Sequence, residues 1–250
     1  MRFDGKVAIV TGGGTGIGRA VAIALAQEGA RVAIVGRRVD RLQETARLIG
    51  QPEHVLVIPT DVSHEDQVQR MVEQVVGRWA GLNLLFSQAG ILHPRDSSIL
   101  DIDVQVINET LATNVLGHML AIKHCARQMV KGGGGSIVVT SSDLSFVALP
   151  GVSAYVTSKG AITSLTRAAA ADLAQYNIRV NAVCPGFVYT EMTAAMAKNT
   201  AAMDAMRETY LIKELGQPED VVEAVLYFLG NGARFTTGAT LLVDGGHVVR

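Results

Sequence analysis

The 250-residue chain has only two cysteines, Cys125 and Cys184, far apart in sequence. They build neither a disulfide framework nor a metal-ligand spacing, and they point to a reducing compartment. Charge is also scarce. Charged residues make up 18%, and 22 Lys and Arg against 23 Asp and Glu leave a formal net charge of −1. Without a basic surplus, nothing here attracts nucleic acid or an anionic membrane surface. No apolar run reaches the roughly 18 residues a membrane span needs. Arg2, Asp4 and Lys6 break the N-terminus before it resembles a secretory signal. The expectation is a cytoplasmic protein. Two catalytic signatures are missing as well. No Gly-Lys-Ser/Thr follows a glycine-rich turn, which excludes a P-loop, and no Gly-x-Ser-x-Gly nucleophile elbow occurs.

What is present is apolar and periodic. Hydrophobic residues are 48% of the chain. Short runs rich in Val, Ile and Leu fall at Val7–Thr11, Arg31–Gly36, Val55–Thr60, Leu82–Ser87, Ser136–Ser141, Ile178–Cys184 and Thr240–Val243. They lack strict alternation, as strands covered on both faces do. Helical patterns separate them, at about 17–28, 39–49, 64–79, 101–130, 154–175 and 218–229. The alternation predicts an α/β fold, a parallel sheet of about seven strands with right-handed crossovers. No linker divides the chain, so residues 1–250 read as one doubly wound domain. The segment 187–213, rich in Ala, Met and Thr, reads as helical, interrupts the alternation and suggests an inserted lid.

Between the first strand and the first helix stands Thr11-Gly-Gly-Gly-Thr-Gly-Ile-Gly18. Five glycines in eight residues cannot pack as helix or strand. They suit a turn that lets backbone approach a pyrophosphate lying on the N–H groups of the next helix. A second pattern is Tyr155-Val-Thr-Ser-Lys159. Residues four apart share a helix face, and an ammonium beside a phenol stabilises the phenolate. Alone, such a pair reads as a solvated helix surface. Here Ser142 lies thirteen residues upstream, at the end of a predicted strand. A third feature is Asn114, placed within a helical stretch that asparagine disfavours.

Taken together, Thr-Gly-x-x-x-Gly-x-Gly, the serine, and Tyr-x-x-x-Lys resemble the short-chain dehydrogenase/reductase family, from DGKVAIVTG to LLVDGG. The resemblance implies a Rossmann-like domain and an oxidoreductase interconverting a carbonyl and an alcohol. It implies a catalytic set of Asn114, Ser142, Tyr155 and Lys159. Ser142 would bond the substrate oxygen, Tyr155 would trade the proton, and Lys159 would lower the Tyr155 pKa. Asn114 would distort its helix and hold a water near Lys159. The implied cofactor contacts are Gly12, Gly14, Thr15, Gly16, Ile17 and Gly18 in the turn, then Asp61 and Val62 at the adenine. Gln88, Ala89 and Gly90 follow the fourth strand, and Pro185, Gly186, Val188 and Thr190 meet the nicotinamide. Tyr155 and Lys159 also face the nicotinamide ribose. Apart from the resemblance, Asp61 reads as a helix cap, a role open equally to Ser63.

The family usually has Asn-Asn-Ala-Gly where this chain has Ser87-Gln-Ala-Gly90. The Ser87 position predicts loss of a structural hydrogen bond between strands, while the Gln88 main-chain carbonyl remains available to the cofactor. At the end of the second strand, Val35-Gly-Arg-Arg38 supplies two guanidiniums and no carboxylate. Guanidinium matches a 2′-phosphate, so Arg37 for the phosphate and Arg38 beside the adenine favour NADP(H), with NAD(H) the alternative. Asp143, Leu144, Leu149, Val152, Phe187 and the 190–212 segment, with Met192, Met196, Met203 and Met206, are candidates to line a substrate pocket, although methionines at such spacing are more often core. His93, just after Ala-Gly-Ile-Leu, could reach the mouth of the site, but it reads more readily as an exposed loop histidine. By resemblance, the partners are a small carbonyl or alcohol substrate and further copies of the chain, as a homotetramer or, alternatively, a dimer.

Overall fold

In the computed structural model, which describes residues 1–250, the apolar runs pair into one sheet. Its strands are β1 (Val7–Thr11), β2 (Arg31–Gly36), β3 (Val55–Pro59), β4 (Leu84–Ser87), β5 (Gly135–Thr140), β6 (Ile178–Pro185) and β7 (Thr240–Val243). The order is β3-β2-β1-β4-β5-β6-β7, and every neighbouring pair is parallel. The helices are α1 (Gly16–Gln27), α2 (Val39–Ile49), α3 (Glu65–Trp79), α4 (Val104–Leu111), α5 (Gly117–Lys131), α6 (Ser153–Leu173), α7 (Ala194–Ala197), α8 (Thr200–Glu208) and α9 (Pro218–Leu229).

Strand residues alternate between two cores, which is why the runs are apolar throughout. Val7, Ile9, Ala33 and Val35 join one cluster, with α3, α5 and α6. Ala8, Val10, Val32 and Ile34 join the other, with α1, α2 and α9. In the second, α1 packs along α9 through the fully buried Val21, Leu25, Val225 and Leu226. Burying each such side chain is worth about 1.5–3 kcal/mol.

Two expectations need correction. The helical stretch read at about 101–130 is two helices, α4 and α5, joined by a π-helical turn at Ala112–Leu116. Its start is set by Asp103, whose carboxylate accepts a 2.8 Å hydrogen bond from the Gln105 N–H. The segment 187–213 is only partly helical, holding the short α7 and α8. Met203, Tyr210 and Leu215 form a small buried cluster of their own, apart from the two sheet cores. A bridge between Val188 and Gly216 closes the base of this segment. No helix of the molecule is long and apolar enough to cross a membrane.

Strand order reverses at β1, with β2 on one side and β4 on the other. Chains leaving these strands diverge, so a crevice opens beyond their carboxyl ends, where open α/β sheets bind ligands.

Candidate active site

A cleft of about 250 Å³ fills that crevice. The glycine turn forms its floor. Gly12 has a φ of +69°, and a Cβ there would stand 3.1 Å from the Ala89 backbone after β4. Gly18 lets the first turn of α1 pack onto the loop, since a Cβ would lie 2.2 Å from the Gly12 carbonyl oxygen. The Thr11 hydroxyl ties the two strand ends together by accepting from the N–H groups of Gln88 (2.9 Å) and Ala89 (3.1 Å). The floor is therefore bare backbone at the amino end of α1, a cradle suited to a diphosphate.

Nearly every residue expected in the site lines this cleft, from Gly12, Gly14, Thr15, Gly16 and Ile17 through Arg37, Arg38, Asp61 and Val62. Gln88, Ala89, Gly90, Ser142, Tyr155, Lys159, Pro185, Gly186, Val188 and Thr190 line it too. Two do not. Gly18 lies under the turn as described, and Asn114 is fully buried behind the wall. Sequence reasoning passed over Arg41, Thr60, Ile91, Thr113, Thr140 and Ser141, which also line the cleft. Of these only Arg41 left a trace, as a third cation in the first turn of α2.

Asn114 sits in the π-helical turn. Its Oδ1 accepts from the Ile91 N–H (2.7 Å), and its Nδ2 donates to the Ile91 carbonyl (2.8 Å) and the Ser158 hydroxyl (3.1 Å). The amide thus pairs with Ile91 as a strand neighbour would, and ties the loop after β4 to α6. Tyr155 stands in the first turn of α6. Asp96, from a distant loop, accepts from the N–H groups of Ala154 (3.2 Å) and Tyr155 (2.9 Å). A carboxylate at this helix start satisfies free donors and complements the dipole, and so fixes Tyr155 at the cleft.

Lys159, one turn on, is 4% exposed and donates from Nζ to the Thr140 carbonyl at 2.9 Å. Burial lowers its pKa to about 8. Its Nζ lies 5.5 Å from the centre of the Tyr155 ring. The Tyr155 phenol is pushed up to about 12, first by burial and then by the Asp143 charge. Burial outweighs any lowering of the Tyr155 pKa by the Lys159 charge. The ammonium is committed to Thr140, and desolvation dominates the phenol.

Several further expectations change. Ser87 keeps a partner, with its Oγ 2.7 Å from Nδ1 of the buried His118 on α5. That contact joins β4 to α5. Asp61 does not cap α3, whose first turn follows His64 with no side-chain cap. Its Oδ1 instead accepts from the N–H (3.0 Å) and hydroxyl (2.7 Å) of Ser63. The end of β2 is not free of carboxylate, because Glu191 reaches over from the segment after β6 to pair with Arg38 (2.6 Å) and Arg41 (2.9 Å). Arg37 makes no ion pair. Around the expected substrate pocket, Met203 is buried, and Met196 and Met206 pack against its cluster, so only Met192 reaches the cleft. Asp143 is 4% exposed and fully engaged in hydrogen bonds, so it is no open pocket wall. His93 is bound to Glu109 at 3.0 Å with its side chain only 12% exposed, so it is not an exposed loop histidine.

Comparison with known proteins gives a consistent picture. A family profile described as enoyl-(acyl carrier protein) reductase matches residues 12–247. Among curated relatives, cis-4-hydroxycyclohexanecarboxylate dehydrogenase of Sinomonas cyclohexanicum is 35% identical over 246 residues, covering 98% of this chain and 97% of the relative. Human dehydrogenase/reductase SDR family member 4 is 36% identical over 242 residues, covering 96% and 87%. Among solved structures, a short-chain type dehydrogenase/reductase from Mycobacterium marinum superposes with a TM-score of 0.94 at 35% identity, covering 99% and 97%. A Caenorhabditis elegans short-chain dehydrogenase/reductase of unknown function, solved with cofactor, gives 0.93 at 30% identity, covering 100% and 97%.

Proposed function

The chain belongs to the short-chain dehydrogenase/reductase family, oxidoreductases acting on CH–OH or carbonyl groups with NAD(P), and on that premise we propose an NADP(H)-dependent enzyme interconverting a ketone or aldehyde with an alcohol. The observation that carries the reading is that Ser142, Tyr155 and Lys159 line the same cleft as the glycine turn. The cofactor fits this cleft by its bare-backbone cradle. Gly12, Gly14, Thr15, Gly16 and Ile17 would receive the diphosphate, Asp61 and Val62 the adenine, and Gln88, Ala89 and Gly90 the ribose side. Pro185, Gly186, Val188 and Thr190 would face the nicotinamide, with Gly18 supporting the turn from below. Arg37 carries the NADP(H) preference, as an unpaired guanidinium at the end of β2. Pairing of Arg38 and Arg41 with Glu191 favours the second reading, NAD(H), because it neutralises two of three cations.

A bound nicotinamide supplies or accepts the hydride. The chain's own residues handle the oxygen and its proton. Ser142 donates to the substrate oxygen and stabilises charge as it develops. Tyr155 gives its proton to that oxygen in reduction and takes it back in oxidation. Lys159 places a positive charge against the Tyr155 ring face and would hold the ribose hydroxyls of the cofactor. Asn114 holds the π-helical turn and a water leading towards Lys159.

The segment 187–213 acts as a lid, hinged at the Val188–Gly216 bridge. Two buried, unpaired cysteines fit a cytoplasmic enzyme. Exposed apolar residues on α5 and near the C-terminus, including Met119, Phe235 and Val249, supply faces for a homotetramer. A relative named for a hydroxycyclohexanecarboxylate fits a secondary alcohol of moderate size.

The test is titration with NADPH and NADH by nicotinamide fluorescence, with Arg37→Asp as control. Turnover follows on ketones and secondary alcohols, beginning with cyclohexanone and cyclohexanol. Tyr155→Phe is expected to bind cofactor and abolish turnover. An NADH preference in the wild type would overturn the cofactor assignment, and near-wild-type rates in Tyr155→Phe would overturn the catalytic one.

A further inference from the structure

We propose that Asp143 and His247 are a positioning pair for Ser142: the carboxylate sets where the Ser142 hydroxyl points, and the imidazole from the C-terminal turn sets where the carboxylate sits. This rests on the roles given to Ser142 and Tyr155 above. Asp143 Oδ1 accepts from the Ser142 hydroxyl (2.8 Å) and the Leu144 N–H (2.8 Å). Its other oxygen, Oδ2, lies 2.8 Å from His247 Nδ1, a residue 104 positions away. Capping the short turn after β5 uses only Oδ1. The Oδ2 contact is separate, and it brings the end of the chain to the reacting centre.

The directions of these bonds follow from what each group can do. An ionised carboxylate only accepts, so His247 Nδ1 carries a hydrogen. The Ser142 oxygen already accepts from the Leu144 N–H at 3.1 Å, so its own hydrogen goes to Asp143. Ser142 therefore shows the cleft a lone pair. To donate to a substrate oxygen it must leave Asp143, and a charge-assisted bond resists that. His247 draws on the same carboxylate and loosens its hold. The imidazole is itself fixed, stacked on Tyr210 with centroids 4.7 Å apart and planes 9° from parallel. The Tyr210 hydroxyl accepts from the Phe187 N–H at 2.8 Å, which joins the pair to the base of the 187–213 segment.

Few titratable groups share this pocket. Tyr155 and Lys159 face it from α6, Cys184 from β6, Tyr210 from the 187–213 segment, and Asp244 and His247 from the C-terminal turn. Asp143 raises the Tyr155 phenol through its charge. Removing that charge while keeping the shape eases phenolate formation. Removing the His247 partner leaves the charge uncompensated and has the opposite effect.

The experiment is the pH profile of alcohol oxidation in the full-length wild type, Asp143→Asn and His247→Phe, using the fastest secondary alcohol of the panel above. The phenylalanine keeps the stack on Tyr210 and deletes only the bond to Oδ2. Oxidation rises with pH as Tyr155 loses its proton. Asp143→Asn is expected to move that rise down by about one pH unit. His247→Phe is expected to move it up and to lower kcat several-fold with the cofactor KM unchanged. Rises that stay at the wild-type pH, or shift in the same direction, in folded variants overturn the proposal. If Asp143→Asn does not fold, His247→Phe decides alone: an upward shift supports the pair and no shift overturns it. Tyrosine UV titration of the wild type and both variants, each against its own Tyr155→Phe version, reads the same ionisation without turnover. Should Tyr155→Phe itself stay active, the reading of the site fails, and that outcome is distinct from failure of the pair.

Discussion

Lys159→Met is expected to stabilise the protein while destroying its turnover. Burial holds the Lys159 ammonium at a pKa of about 8 against the ordinary 10.5, a penalty of about 3 kcal/mol at about 1.4 kcal/mol per pH unit. The sign follows from proton counting. Between pH 8 and 10.5 the unfolded chain binds the proton more tightly than the folded one, so folding gains stability as pH rises through this window. Below pH 8 the whole penalty is carried. Methionine removes it and fills the same space, but it gives up the bond to the Thr140 carbonyl, a loss of about 1–2 kcal/mol. The net gain is about 1–2 kcal/mol, a rise in Tm of a few degrees at this chain length. Thermal and urea unfolding of both proteins at matched concentration, at pH 6.5 and pH 10, read it directly. The gap should be open at the lower pH and nearly closed at the higher, where wild-type Lys159 has lost its proton. A less stable variant at pH 6.5, or a gap of the same size at both, would refute the reasoning.

Two other perturbations test the architecture around the site. Ser87→Ala removes the partner of His118 Nδ1, and Nε2 of that buried ring already has none. Burial, aided by the Lys159 charge, holds His118 neutral with a pKa near 3, so the ring cannot recover by ionising. Urea unfolding should show a loss of about 1–3 kcal/mol; no loss would mean that the contact contributes nothing. Gly18→Ala drives a methyl group into the Gly12 carbonyl, a backbone atom that cannot step aside. It should cost about 1–3 kcal/mol and weaken NADPH binding. Gly77→Ala, in α3 with open space around it, should instead add about 0.5–1 kcal/mol.

The sheet was legible because its inner strands are buried on both faces, and such burial writes itself as a short run of Val, Ile and Leu. The helical stretch ending at 130 was legible as helix but not as two helices. A π-helical turn has no composition of its own, and Asn114 showed only that something there opposed helix propensity. The site was legible where one short segment carries two groups, as in the glycine turn or Tyr155 and Lys159. It was illegible where the partner is far along the chain. Asp96 caps α6 from 59 residues upstream of Tyr155, and Glu191 meets Arg38 from the far side of the sheet. A carboxylate alone in sequence announces neither role.

The balance between charge and burial at this pair was illegible for a related reason. Spacing of four residues puts Lys159 and Tyr155 on one helix face, and from that alone a charged neighbour should favour the phenolate. Spacing does not report how dry the face is. Burial opposes ionisation of both groups, taking the ammonium down towards neutrality and the phenol up. Each therefore holds its proton less comfortably or more tightly than it would in water, and the fold supplies the stability that keeps them so. The β5 end holds Thr140 against Lys159, Asp96 holds the start of α6, and Asn114 ties α6 to the loop after β4. These contacts come from four separate parts of the chain. The arrangement costs stability at Lys159, which is why removing the residue that the chemistry needs should make the protein harder to unfold.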